Sequence, residues 1–144
     1  MHHYSLERTI NQFFAGRSVT QEECDRQATE LTGEPAKPVR IQGAFSYTVA
    51  ARNMVVQFRV SESLLDTKTL ALARQIYGSV VPACVDKGVI GHPPSPLNVY
   101  VMDKIPGITY IELRSATMRC ASWQEQTISD FARYFQDLSA EVCN

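Results

Sequence analysis

Phe45-Ser46-Tyr47-Thr48-Val49 and Met54-Val55-Val56-Gln57-Phe58-Arg59-Val60, separated by a break at Arg52-Asn53, decide the fold. Both runs are rich in β-branched and aromatic residues, which suit a pleated, half-buried surface. Two such runs joined by a short polar connection read as a β-hairpin. Val39-Arg40-Ile41 reads as a further short strand upstream, and Gln42-Gly43 as the interruption between them.

Helical periodicity lies on the N-terminal side. Leu6, Ile10, Phe13 and Phe14 fall at i, i+4, i+7 and i+8, the apolar stripe of an amphipathic helix over Ser5 to Phe14. Thr20-Gln21-Glu22-Glu23 is a capping box, and Cys24, Ala28 and Leu31 continue the next helix until Gly33. Pro35 and Pro38 bracket an extended connection.

On the C-terminal side, Ser63 to Asp66 opens a helix bearing Leu65, Leu70, Leu72, Ala73 and Ile76 and ending at Gly78. Val80 to Val85 should be extended, with a turn near Asp86-Lys87-Gly88. Gly91 to Pro96 is a loop by composition. Leu97 to Met102 is a strand, and Pro106-Gly107 a turn. Ser122-Trp123-Gln124-Glu125 caps a long closing helix with a stripe of Trp123, Thr127, Phe131, Phe135 and Leu138. The resulting expectation is an α+β fold with an antiparallel sheet, flanking helices and a long C-terminal helix.

The chain has 144 residues, 14 Lys plus Arg against 15 Asp plus Glu, and 44% hydrophobic residues. That length predicts a single domain over 1–144: N-terminal helices in 1–33, sheet and helix in 39–112, and a closing helix in 122–142. A formal charge of -1 argues against nucleic-acid binding by phosphate neutralisation. The first eight residues contain no signal-peptide apolar run, and no stretch approaches the roughly 20 residues of a membrane span. A cytoplasmic protein with no membrane partner is expected. Cys24, Cys84, Cys120 and Cys143 lie far apart and read as reduced thiols. His2 and His3 sit at the terminus, so no metal site is expected.

The element order, with Gln42-Gly43-Ala44-Phe45-Ser46-Tyr47-Thr48-Val49, Val56-Gln57-Phe58-Arg59 and Val99-Tyr100-Val101-Met102-Asp103-Lys104-Ile105-Pro106-Gly107, resembles the amino-terminal lobe of the aminoglycoside phosphotransferase-like, kinase-like family, most closely its fungal members. Thr127 to Phe135 resembles the helix that begins that family's second lobe. The resemblance implies a kinase-like small lobe. Gly43, Phe45, Ser46 and Tyr47 would form the loop over the ligand, Arg59 would stand at the phosphate-pairing position, and Met102 and Asp103 at the hinge. The family's His-Gly-Asp catalytic segment and its metal-binding Asp have no counterpart in these residues. Phosphoryl transfer depends on metal-assisted charge neutralisation, so a self-sufficient kinase is not expected.

The resulting expectation is a catalytically inactive kinase-like small lobe that serves as a small-molecule-binding or regulatory module without a cofactor. The alternative is an acid–base tailoring enzyme, of isomerase, cyclase or lyase type, in fungal secondary metabolism. It would reuse the old nucleotide cleft, with Tyr47, Asp103, Glu112 and His92 as candidate acids and bases. A third reading is a subunit completing a larger kinase-like chain. The Trp123 to Leu138 stripe should cover itself in a homodimer.

Overall fold

A computed structural model describes residues 3–107 together with 129, 130, 132 and 133. The chain divides into two compact units, Met1–Ile105 and Pro106–Asn144. In the second, residues 129, 130, 132 and 133 are helical. Apart from those four, the expected closing helix from Trp123 to Leu138 lies outside the described residues, as do Glu112, Cys120 and Cys143.

The first unit opens with two helices placed where their caps dictate. Ser5 Oγ accepts from the Arg8 N–H at 3.3 Å and starts α1 (Leu6–Phe14), whose Ile10 and Phe13 are buried. In α2 (Gln21–Thr32) the capping box closes in both directions. Thr20 Oγ1 accepts from Glu23 N at 3.3 Å, and Glu23 Oε2 accepts from Thr20 N at 2.8 Å. Gly33 ends the helix with its N–H on Thr29 O.

The sheet is antiparallel and five-stranded, in the order β1 (Lys37–Pro38), β2 (Ser46–Ala50), β3 (Met54–Val60), β5 (Leu97–Asp103), β4 (Cys84–Ile90). Between β3 and β4, Asp66 caps α3 (Thr67–Tyr77) by accepting the N–H groups of Lys68 and Thr69. Among the described residues no helix is long and apolar enough to cross a membrane.

One face of the sheet carries the core. Tyr47, Val49, Val56, Phe58, Val60, Leu97 and Val99 pack against Ile10, Phe13, Cys24 and Ala28 from α1 and α2. Aromatic rings run through it: Phe14 meets Tyr47 edge-on at 5.0 Å, and Tyr47 stacks on Phe58 at 6.1 Å. Such pairs add about 0.5–1.5 kcal/mol beyond the area they bury.

Two sequence expectations fail locally. Val39-Arg40-Ile41 is not a strand; β1 is confined to Lys37–Pro38. Pro38 brings no N–H to a ladder, and the Gln42 side chain takes the hydrogen bonds that a longer β1 would have made to Thr48. The turn expected at Asp86-Lys87-Gly88 is a β-bulge within β4, because pairing slips by one residue between Asp86↔Tyr100 and Val89↔Asn98. Gly88 supplies the positive φ of 89° that such an extra residue requires. The Asp86 carboxylate accepts its N–H at 2.8 Å.

Candidate functional site

Strand alternation sorts the expected site residues onto two faces. Tyr47 pairs with Phe58, and Ser46 with Arg59. Successive side chains point to opposite faces, so Tyr47 belongs to the helix-covered core and Arg59 to the other side. Tyr47 is 1% exposed. Its hydroxyl donates to Asp25 Oδ1 at 2.7 Å and accepts from Gln21 Nε2 at 3.1 Å. Burial and the hydrogen bond to Asp25 push its pKa far up, so the phenol stays protonated. It is a core tyrosine with a satisfied hydroxyl, not a side chain presented beside Arg59.

The face opposite the core carries Ser46, Gln57, Arg59, Asn98, Tyr100 and Met102, by the registers Ser46↔Arg59, Gln57↔Tyr100, Arg59↔Asn98 and Val55↔Met102. Arg59 is the cation of this face. Its Nε donates to Ser63 O at 2.6 Å, one Nη to Gln57 Oε1 at 3.0 Å and the other to Ser63 Oγ at 2.7 Å. All three acceptors are neutral. Among the described residues no carboxylate stands within ion-pair distance of it. A guanidinium carries five N–H donors and never deprotonates in proteins, so Arg59 is a fixed, half-buried charge with one hydrogen left on each Nη.

The loop before β2 lies beside this cation. Phe45 O accepts from Val60 N at 3.1 Å, while its ring stands 61% exposed. Ser46 is buried, and a Cβ at Gly43 would meet Ser46 Oγ at an ordinary 3.7 Å. The loop is held by Gln42, which the sequence reading passed over as a break. Gln57 and Ser63 were also missed. Their spacing from Arg59, two residues along the same strand and four residues on, was the available signal.

Met102 and Asp103 lie at the other end of β5. Met102 is four residues from Asn98, the partner of Arg59, a distance of about 13 Å at strand rise. Asp103 is the last residue of β5. Its N–H donates to Ala83 O at 3.1 Å, and its Oδ2 accepts the Ala83 N–H at 3.1 Å and lies 3.5 Å from an Arg74 Nη.

The candidate acids and bases do not converge. His92 sits before β5, and its backbone is clasped by Ser18 through two 3.1 Å hydrogen bonds. Asp103 ends that strand, six residue steps or about 20 Å beyond its first residue, Leu97. Tyr47 is inside the core, and Glu112 lies outside the described residues. Among the described residues no group of three or more His, Cys, Asp or Glu side chains gathers to hold a metal ion. No protein-family model, curated protein or solved structure matches the chain.

Proposed function

We propose that this chain is a kinase-like small lobe that binds an anionic small molecule on the sheet face of Arg59 and does not itself transfer phosphoryl groups. One observation carries the reading: a half-buried guanidinium, oriented by Ser63 and Gln57, with no carboxylate of the described residues within ion-pair distance. A desolvated cation without a counter-charge is costly, and an anionic ligand would offset that cost. An oriented Arg fork suits phosphate or carboxylate.

The element order supports the kinase-like reading. A strand and glycine-containing loop precede the β2–β3 hairpin, Arg59 lies on β3, α3 follows, and β5 runs to Met102 and Asp103. The distance between Arg59 and Met102 suits an elongated ligand with an anionic end and a hydrogen-bonding end. The residues present include no His-Gly-Asp segment to orient an acceptor hydroxyl. We assign them binding rather than catalysis, with a homodimer through Trp123 to Leu138 in the cytoplasm.

Thermal shift and calorimetry with ATP, ADP and pyrophosphate test the binding. Saturable stabilisation is expected, weakened at least tenfold by Arg59→Gln and less by Arg59→Lys, which keeps the charge but loses the fork. No stabilisation by any of the three, or none lost in Arg59→Gln, would sink the reading. Light scattering after size exclusion tests the dimer, and a monomer at micromolar concentration would refute it.

A further inference from the structure

α3 and the start of β4 stand toward the Met102 end of the sheet face that carries Arg59, since Cys84 pairs with Met102. α3 buries no residue fully, and Leu72, Ile76, Val80, Val85 and Val89 are all exposed. Between the helix and the start of β4 lies an open groove of about 400 Å³, lined by Ala71, Arg74, Gln75, Pro82, Ala83 and Cys84. That volume is within the usual range for small-molecule sites, roughly 300–1,000 Å³, which are apolar with a few placed polar groups.

We propose that this groove binds a small apolar carboxylate, with Arg74 holding the carboxylate and Ala71, Pro82 and Ala83 receiving the hydrocarbon body. The groove adjoins the Met102 and Asp103 end of the Arg59 face, because Cys84 pairs with Met102, but it uses a different cation, Arg74.

The side-chain arithmetic of Arg74 supports the carboxylate. One Nη donates to Val81 O at 2.6 Å and lies 3.5 Å from Asp103 Oδ2. Among the described residues Nε and the other Nη have no acceptor. These two nitrogens form one edge of the guanidinium fork, which matches the two oxygens of a carboxylate. Residues 67–82 contain Lys68 and Arg74 and no Asp or Glu, while Asp103 and Asp86 lie near Arg74 and Cys84. Asp103 beside Arg74 limits the site to one negative charge; a dianionic headgroup would meet the carboxylate without a second cation.

The rest of the lining suits hydrocarbon. Ala71, Pro82 and Ala83 are short and leave room for a larger body, and Leu72 and Ile76 on the neighbouring stripe of α3 extend the apolar surface outward. Burial and the nearby Asp86 raise the pKa of the Cys84 thiol. It is therefore a neutral wall of the groove and not a nucleophile.

The test is titration of the full chain with decanoate and with its uncharged twin decanol, followed by calorimetry and backbone amide shifts. Decanoate should bind at least tenfold more tightly and move the amides of Ala71, Gln75, Ala83 and Cys84. Arg74→Gln should abolish the preference while leaving decanol binding unchanged, and Arg74→Lys should retain part of it. Ala71 is exposed, so Ala71→Phe fills the groove without touching the core, and should remove both ligands. Equal affinity for the two, shifts confined to other residues, full binding by Ala71→Phe, or no saturation at millimolar decanoate would each overturn the proposal.

Discussion

The Gln42 carboxamide pairs with Thr48 as a backbone peptide would. Its Oε1 accepts the Thr48 N–H at 2.9 Å, and its Nε2 donates to Thr48 O at 2.8 Å and to Val39 O at 3.1 Å. Its own N–H donates to the Tyr4 hydroxyl at 2.8 Å. One side chain therefore completes the edge of β2 where β1 stops, and ties the 39–45 loop to the N-terminal arm.

Removing that carboxamide leaves the Thr48 N–H and the Val39 carbonyl without that partner, while Thr48 O keeps the Val39 N–H. Gln42→Ala should destabilise the first unit by about 1–3 kcal/mol, the usual cost of unsatisfied buried polar groups. Amide exchange at Thr48 should accelerate more than at Gln57. Gln42→Glu should be similarly harmful at neutral pH, because a carboxylate would face two carbonyl oxygens. Equilibrium denaturation within 0.5 kcal/mol of the parent for Gln42→Ala would show that the pairing contributes little.

The same residue marks where sequence reading stopped working. The α2 capping box, the Gly33 stop and the β2–β3 hairpin depend on neighbours within a few residues, and each formed as its local pattern implied. β1 and the β4 bulge depend on distant partners: Gln42 on Thr48, and the 86–89 slip on β5. The candidate site was split for a related reason. The family resemblance placed Tyr47 and Arg59 together, but pairing parity puts them on opposite faces. Once the Ser46↔Arg59 register is known, the parity is decided. The tertiary partners of Asp103 lie about 20–30 residues away in sequence, on α3 and before β4, with no local signal.

Alkaline pH should loosen the core through two groups. Burial raises Cys24 from 9.0 to about 12, and burial with the Asp25 hydrogen bond raises Tyr47 from 10.0. Both are neutral when protonated. Above its ordinary value the folded state holds each proton more tightly than the unfolded state does. Stability is therefore fully present below about pH 9 and falls as pH rises, by up to about 1.4 kcal/mol per pH unit for each such group. Cys24→Ala should flatten the slope that begins near pH 9, and Tyr47→Phe the part that begins near pH 10. Tyr47→Phe should also cost about 1–2 kcal/mol at pH 7, because Asp25 and Gln21 lose their partner. Unchanged alkaline slopes in both variants would place the titration elsewhere.

Acidic pH should release two helix starts. Hydrogen bonds from Thr69 hold the Asp66 carboxyl below its ordinary value, and bonds from Thr20 do the same for Glu23. Each favours the ionised form in the folded state. Their contribution is present above the unfolded pKa near 4 and disappears as pH falls through the folded value. Asp66→Asn keeps an N-cap acceptor that cannot titrate. It should shrink the acid limb of a stability–pH curve measured between pH 6 and 2 while preserving helicity at pH 6. An acid limb identical to the parent would mean that the α3 cap does not contribute to it.

Two glycines of nearly equal backbone geometry separate strain from crowding. Gly88 and Gly91 have φ of 89° and 90°, where a Cβ is disfavoured. A Cβ at Gly88 would meet nothing within 4 Å, whereas one at Gly91 would overlap Val19 Cγ2 and sit 3.1 Å from Ser18 Oγ. Val19 is 2% exposed and cannot swing into solvent. Ser18 Oγ clasps both the N–H and the carbonyl of His92, so the β4–β5 loop cannot lift away without breaking that clasp. Gly88→Ala should therefore cost only the backbone strain, about 1–2 kcal/mol. Gly91→Ala should add about 1–3 kcal/mol of overpacking to the same strain. It should also speed amide exchange at His92, a change that Gly88→Ala should not produce. Equal destabilisation by the two substitutions would show that the loop yields around Val19 and that the Ser18–His92 clasp does not hold it.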